Sequence, residues 1–299
     1  MIIAAYAGTG KSTFAQRIEG AADLPIMPCK WILPPTDKTG AELEGEKGAL
    51  HRLADPRFPY NYLAEVLKAE RVSRFVLVPT DLTIICHLRE DYGRKVVLCY
   101  PGENCREEYR ARFVVRGNSE SFLNLFIDGW DDLLGPVRDY SQGVHIVMEP
   151  GEYLTDLLPR LEEERRADTT EPLDDKTICD IEETAAKQGR DLVLYLPGDD
   201  GDWFYPIQDL DAPEERQLLD RLGRAAFEHT PGFAPFLAPK EAFPPEALAA
   251  STTEDRWALL SFVEDGTRFE PKELKVCPEE DAVRRKGRTR TSGFFTDLR

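Results

Sequence analysis

No two of the six cysteines (Cys29, Cys86, Cys99, Cys105, Cys179, Cys277) stand in a C-x-x-C pair. None of the four histidines (His51, His87, His145, His229) lies at ligand spacing from another. Both absences speak against a zinc site, and several cysteines sit inside apolar runs, as Cys86 and Cys99 do. Free buried thiols in a reducing compartment are the expectation. No apolar run approaches the roughly 20 residues that span a bilayer. The chain opens on Met1-Ile2-Ile3-Ala4-Ala5 without a basic n-region, so no signal peptide is read and a cytoplasmic protein is expected.

Positive charge is also scarce. Of 38 basic and 55 acidic residues, 19 and 23 fall in residues 1–160, which leaves 19 and 32 for the remainder. So acidic a second half disfavours broad contact with nucleic acid or an anionic membrane, and neither is expected as a partner. The exception is the stretch Arg284-Arg285-Lys286-Gly287-Arg288-Thr289-Arg290, read as a solvated basic tail.

What is present is alternation. Strand-length apolar runs occur at Ile2–Ala7, Phe75–Val78, Lys95–Tyr100 and Val144–Met148, with a weaker one at Leu24–Met27 that contains Pro25. Helical spacing lies between them at Ser12–Glu19, Tyr60–Glu70, Leu82–Asp91, Arg106–Arg116 and Ser121–Leu134. This order predicts an α/β domain, a parallel sheet of about five strands between two layers of helices. Pro34–Gly48 reads as a polar loop. The charge shift puts a linker at 163–176, separating a domain at 1–162 from a smaller α+β region at 177–299. In that region Asp191–Leu196 reads as a strand, Glu214–His229 as a helix, and Trp257–Val263 as either.

The informative residues are Ala5-Tyr6-Ala7-Gly8-Thr9-Gly10-Lys11-Ser12-Thr13. They match the phosphate-loop pattern G-x-x-x-x-G-K-[ST], with Ala5 in place of the first glycine. Gly8 and Gly10 allow a loop tight enough to aim successive backbone N–H groups at phosphates. Lys11 adds a point charge, and Ser12 offers a hydroxyl to Mg²⁺. Gly8, Thr9, Gly10, Lys11, Ser12 and Thr13 are therefore the expected nucleotide-binding residues. The strand before the loop and the helix after it supply the context that the pattern needs.

With these residues the chain resembles the P-loop kinases of the adenylate-kinase-like group, and especially a bacterial and phage branch of it. The resemblance covers about residues 1–158 and extends to Asp23–Leu33, Phe58–Val66 and Leu98–Leu134. It implies a P-loop NTPase fold, ATP and Mg²⁺ as cofactors, and phosphoryl transfer to a small acceptor.

Asp81 follows the apolar run Phe75–Val78, where an acid either holds the Mg²⁺ shell or caps the next helix. In Arg106–Arg116, the residues Arg106, Arg110, Arg112 and Arg116 share one broad arc at about 100° per residue. That arc is either a catalytic lid, with Arg112 and Arg116 on the transferred phosphoryl, or a solvated face paired with Glu107 and Glu108. The resembled families place an acid after the second strand, whereas Asp23 stands at the start of Leu24–Met27. Lys30, Trp31, Tyr60, Asn61 and Tyr62 are candidates for the acceptor wall, and Trp130 reads as a buried residue beside Asp131 and Asp132.

The leading expectation is an ATP-dependent kinase acting on a nucleotide-like small molecule, with Lys11, Asp81, Arg112 and Arg116 as catalytic residues and Ser12 and Asp81 serving the metal. A nucleic-acid-end or sugar-nucleotide kinase of the toxin type is one alternative. The other is a non-catalytic nucleotide-binding module that regulates a protein partner through the acidic C-terminal region.

Overall fold

The structure, a computed structural model, describes residues 1–33, 52–196, 202–229, 235–242, 258–262 and 271–276. The loop read at Pro34–Gly48, Cys277 and the basic stretch lie outside the described residues. The chain divides into two compact units. Among the described residues the first holds Met1–Lys30 and Pro59–Ala185, and the second holds 31–33, 52–58 and those from Ala186 onward.

The first unit is α/β. It runs β1 (Ile2–Ala5), α1 (Lys11–Arg17), β2 (Ala21–Asp23), α2 (Met27–Lys30), α3 (Tyr60–Val72), β3 (Phe75–Pro79) and α4 (Leu82–Cys86). There follow β4 (Val96–Pro101), α5 (Arg106–Val115), α6 (Glu120–Leu123), α7 (Trp130–Asp139), β5 (Val144–Met148), α8 (Leu158–Arg166) and α9 (Asp175–Gln188). The five strands form one parallel sheet in the order β2-β3-β1-β4-β5. Alternate strand residues Ile3, Phe75, Leu77, Val97, Cys99 and Ile146 pack with Phe14 of α1 and Leu161 of α8. Their neighbours Ile2, Ala4, Val76, Val78, Val96 and Leu98 are also fully buried. Burial on both faces is why these strands read as unbroken apolar runs. Each large aliphatic or Phe side chain so buried contributes about 1.5–3 kcal/mol.

Two local readings need correction. The second strand is Ala21–Asp23, not Leu24–Met27, and Met27 already begins α2. The Gly20 carbonyl accepts from Arg74 N (2.6 Å) and Phe75 N (3.2 Å), which ties the chain to β3 before Ala21. The helix expected over Ser121–Leu134 is broken, with α6 and α7 separated by a π-helical turn at Asn124–Asp128. Phe122 and Phe126 stack there at 4.3 Å, and Trp130 packs near Tyr6 and Tyr109. The wider turn keeps these residues, spaced by four, on one side.

The first compact unit also extends past the expected linker. Helix α9 buries Ile178, Ile181 and Ala185, and Glu182 and Asp175 pair with Lys68 and Arg71 of α3. Before it, Arg94 donates to the Glu171 carbonyl at 2.5 Å and pairs with Glu70 at 2.8 Å. Net charge shifts near 163–176, but packing does not divide there.

The second unit contains β6 (Leu192–Leu196), β7 (Asp202–Pro206), α10 (Pro213–His229), β8 (Phe236–Pro239), β9 (Ala258–Phe262) and β10 (Pro271–Val276). Its strands pair antiparallel in the order β10-β9-β7-β6-β8. Ile32 and Leu53, from the segment between α2 and α3, share its core with Leu192, Leu194, Tyr205 and Leu219. Arg57 clamps the buried Asp55 through two bonds of 2.9 and 2.8 Å and also reaches Asp211 at 2.7 Å. Among the described residues no helix is long and apolar enough to cross a membrane.

Candidate functional site

In the parallel sheet β1 and β4 are neighbours, yet the chain leaves β1 towards β2 and β4 towards β5, on opposite sides. Open sheets of this kind bind ligands outside the carboxyl ends of the strands, at such a crevice. The loop Tyr6–Gly10 lies at that point. Tyr6 is its anchor. Its ring is buried against Tyr109, Phe126 and Trp130, and its hydroxyl donates to the Phe126 carbonyl at 3.0 Å. Burial pushes the Tyr6 phenol up, which keeps it a neutral donor.

Gly8 and Gly10 have φ of 79° and 92°, the left-handed region that glycine enters without steric cost. A Cβ on Gly8 would stand 2.7 Å from Phe113 Cε1, so helix α5 closes directly onto the loop. Thr9 is buried, its hydroxyl donating to the Tyr6 carbonyl at 2.8 Å, while its own carbonyl accepts from Leu154 N at 2.9 Å. Lys11 Nζ lies across the loop, donating to the carbonyls of Ala5 (2.9 Å) and Tyr6 (3.2 Å). Thr13 is exposed on α1.

On the β2–β3 side, Ser12 Oγ donates to Asp23 Oδ2 at 2.7 Å. Asp23 is the last residue of β2, paired in register with Leu77 of β3. The expectation that the second strand lacks a terminal acid is therefore overturned. Asp81 caps α4, with Oδ1 accepting from Thr83 N (3.1 Å) and Ile84 N (3.4 Å). Its Oδ2 pairs with Lys30 Nζ at 2.9 Å. Asn61 donates to the Cys29 carbonyl at 2.8 Å, and the Tyr62 hydroxyl to that of Leu24 at 2.6 Å, so both brace the segment after β2.

On the β4 side, Arg112 of α5 is largely committed. Its guanidinium donates to the Gly8 carbonyl (3.2 Å) and the Glu152 carbonyl (2.9 Å), and pairs with Glu108. It is sandwiched between the rings of Tyr109 (4.6 Å) and Tyr153 (3.9 Å). Arg112 thus ties the loop to α5 and to the turn after β5. Arg110 instead faces Asp128 at 3.4 Å. Arg116 is exposed at the end of α5, with no side-chain partner among the described residues. Arg112→Ala is expected to cost about 2 kcal/mol, from the charge-assisted bonds and ring contacts it deletes. A melting curve unchanged from wild type would return this residue to a solvated face.

Sequence reasoning missed Tyr153 and the Lys30–Asp81 pair, while the pairing of Glu108 with an arginine of its own helix is the (i,i+4) contact read there. No local signal marks Tyr153 or the Lys30–Asp81 pair, since each meets its partner only through the fold. No protein-family model, no curated protein and no solved structure matches the chain. A functional reading therefore rests on the loop, on the groups converging on it, and on the resemblance carried by its motifs.

Proposed function

We propose that this chain is an ATP-binding P-loop kinase that passes the γ-phosphoryl group of ATP to a nucleotide-like small molecule. The observation that carries this reading is the glycine loop after β1, with Lys11 folded over it and Ser12 bonded to Asp23 at the end of β2. The backbone N–H groups of residues 8–12 and the Lys11 ammonium would hold the phosphates. Gly8 suits that role because the loop has no room for a side chain there.

The donor set also fits magnesium. Ser12 Oγ, Asp23 and Asp81 offer hard oxygen atoms, and Mg²⁺ usually takes only one or two carboxylates beside phosphate oxygens. Among the described residues no three of His, Cys, Asp and Glu form a metal cage. The ion, when bound, supplies charge neutralisation on the phosphates. Asp23 is suited to orient an acceptor hydroxyl and to accept its proton. Arg112 holds the loop in shape, which matters because phosphoryl transfer depends on positioning and charge stabilisation. Asp23 at a strand end supports a catalytic reading over that of a non-catalytic module.

The test is a titration of wild type and Lys11→Ala with a fluorescent ATP analogue in the presence of Mg²⁺. Loss of the point charge on the phosphates is expected to weaken binding roughly tenfold or more. Equal affinities would overturn the reading. Single-turnover ATP consumption against a panel of acceptors then identifies the substrate.

A further inference from the structure

Lys30 and Asp81 lie 51 positions apart and meet at 2.9 Å, each on an element that borders the candidate site. Asp81 is the acid that the proposed reaction would turn towards a divalent cation, yet both of its oxygens are engaged. Oδ1 caps α4 through Thr83 N and Ile84 N, and Oδ2 takes the Lys30 ammonium. An ammonium so close opposes a second cation at the same carboxylate. We infer that Lys30 is the resident counter-ion of Asp81, which a divalent cation must displace, so that Lys30 sets how much metal the site needs. This inference rests on the proposed function and adds a regulatory residue to it.

Three features support an exchangeable pair rather than a structural one. The side chains keep 35% and 19% of their exposure, and a pair so wetted contributes little to folding. Lysine is a point charge on a flexible stem, which can leave one oxygen for another without a matching fork. The root of Lys30 is held separately, since its N–H bonds to the Ile26 carbonyl at 2.9 Å and Asn61 grips the Cys29 carbonyl. The ammonium can therefore move while α2 stays in place. The helix cap does not depend on Lys30, so Asp81 remains oriented when the ammonium leaves.

The experiment uses the full chain and follows binding of a fluorescent ATP analogue as Mg²⁺ is raised. Lys30→Gln is expected to reach half-maximal binding at about threefold to fivefold less Mg²⁺ than wild type, in keeping with the loss of a partly exposed charge. Lys30→Arg keeps the charge and is expected to match wild type, and melting curves verify that both variants fold. An unchanged Mg²⁺ requirement in Lys30→Gln, with wild type binding the analogue normally, overturns the inference alone. A wild type that binds no analogue at any Mg²⁺ concentration overturns the proposed function as well.

Discussion

A fragment ending at Glu162 is expected to aggregate, although it contains every strand of the parallel sheet. Its charge is nearly balanced and its length suits a domain, which is why the sequence invites a cut there. The packing argues otherwise. Ile32 and Leu53 lie within the fragment, but their core partners Leu192, Leu194, Tyr205 and Leu219 do not. Exposing two such side chains costs about 1.5–3 kcal/mol each. The buried Arg94 also loses the Glu171 carbonyl, a deletion worth about 1–3 kcal/mol at a charged donor. Lys68 and Arg71 lose Glu182 and Asp175 with helix α9, and the sites of Ile178 and Ile181 are stripped of their cover. Against a typical stability of about 5–15 kcal/mol, these losses leave little. The check is soluble yield and cooperative unfolding by circular dichroism, fragment against full chain. A soluble fragment that melts cooperatively would show that residues 1–162 are self-sufficient.

The same comparison explains what the sequence could and could not reveal. Strands β1, β3 and β4 are buried on both faces, so their apolar runs are local and legible. The edge strand β5 is legible from its apolar composition, although Val147 is exposed. Strand β2 is three half-buried residues, Ala21-Ala22-Asp23, which carry no such pattern. Leu24–Met27 is the more apolar segment, so pattern alone places the strand three residues late and puts Asp23 before it rather than at its end. Gly8, Gly10, Lys11 and Ser12 were legible because the loop's demands act on consecutive residues. The bond from Ser12 to Asp23 and the pair of Lys30 with Asp81 depend on strand order, which spacing alone does not encode. The sequence allows Asp81 to serve a metal or to cap a helix, and the structure shows the cap. The arc of arginines on α5 divides in the same way. Arg112 meets the loop, Arg110 turns to Asp128, and Arg116 stays exposed. Trp130, read as buried, is 2% exposed and belongs to the aromatic cluster that anchors Tyr6.

That cluster makes Gly8→Ala the point substitution with the largest expected effect. The φ of 79° at Gly8 belongs to the left-handed region, where a residue with a Cβ carries strain of about 1–3 kcal/mol. The new methyl would also meet Phe113 Cε1 at 2.7 Å and Tyr109 Cδ1 at 3.3 Å. Neither ring can yield easily. Phe113 is fully buried, with ring neighbours Tyr109, Phe122 and Phe126, and Tyr109 is wedged against Tyr6 and Trp130. Overpacking of this kind costs about 1–3 kcal/mol more. The chain can relieve it only by lifting the loop off α5, which breaks the Arg112 bond to the Gly8 carbonyl and turns the backbone N–H groups away. The expected result is a loss of about 2–6 kcal/mol in stability together with loss of measurable binding of the ATP analogue. Alanine adds a single methyl and no polar group, so the effect is assigned to the positive φ and to the contact with Phe113 and Tyr109. Gly117→Ala is a control for the backbone term, because φ there is 78° and a Cβ meets nothing within 4 Å. It should lose only the strain and keep nucleotide affinity. Equal destabilisation in the two variants, with binding intact in both, would show that α5 does not press on the loop and that the site is looser than its geometry implies.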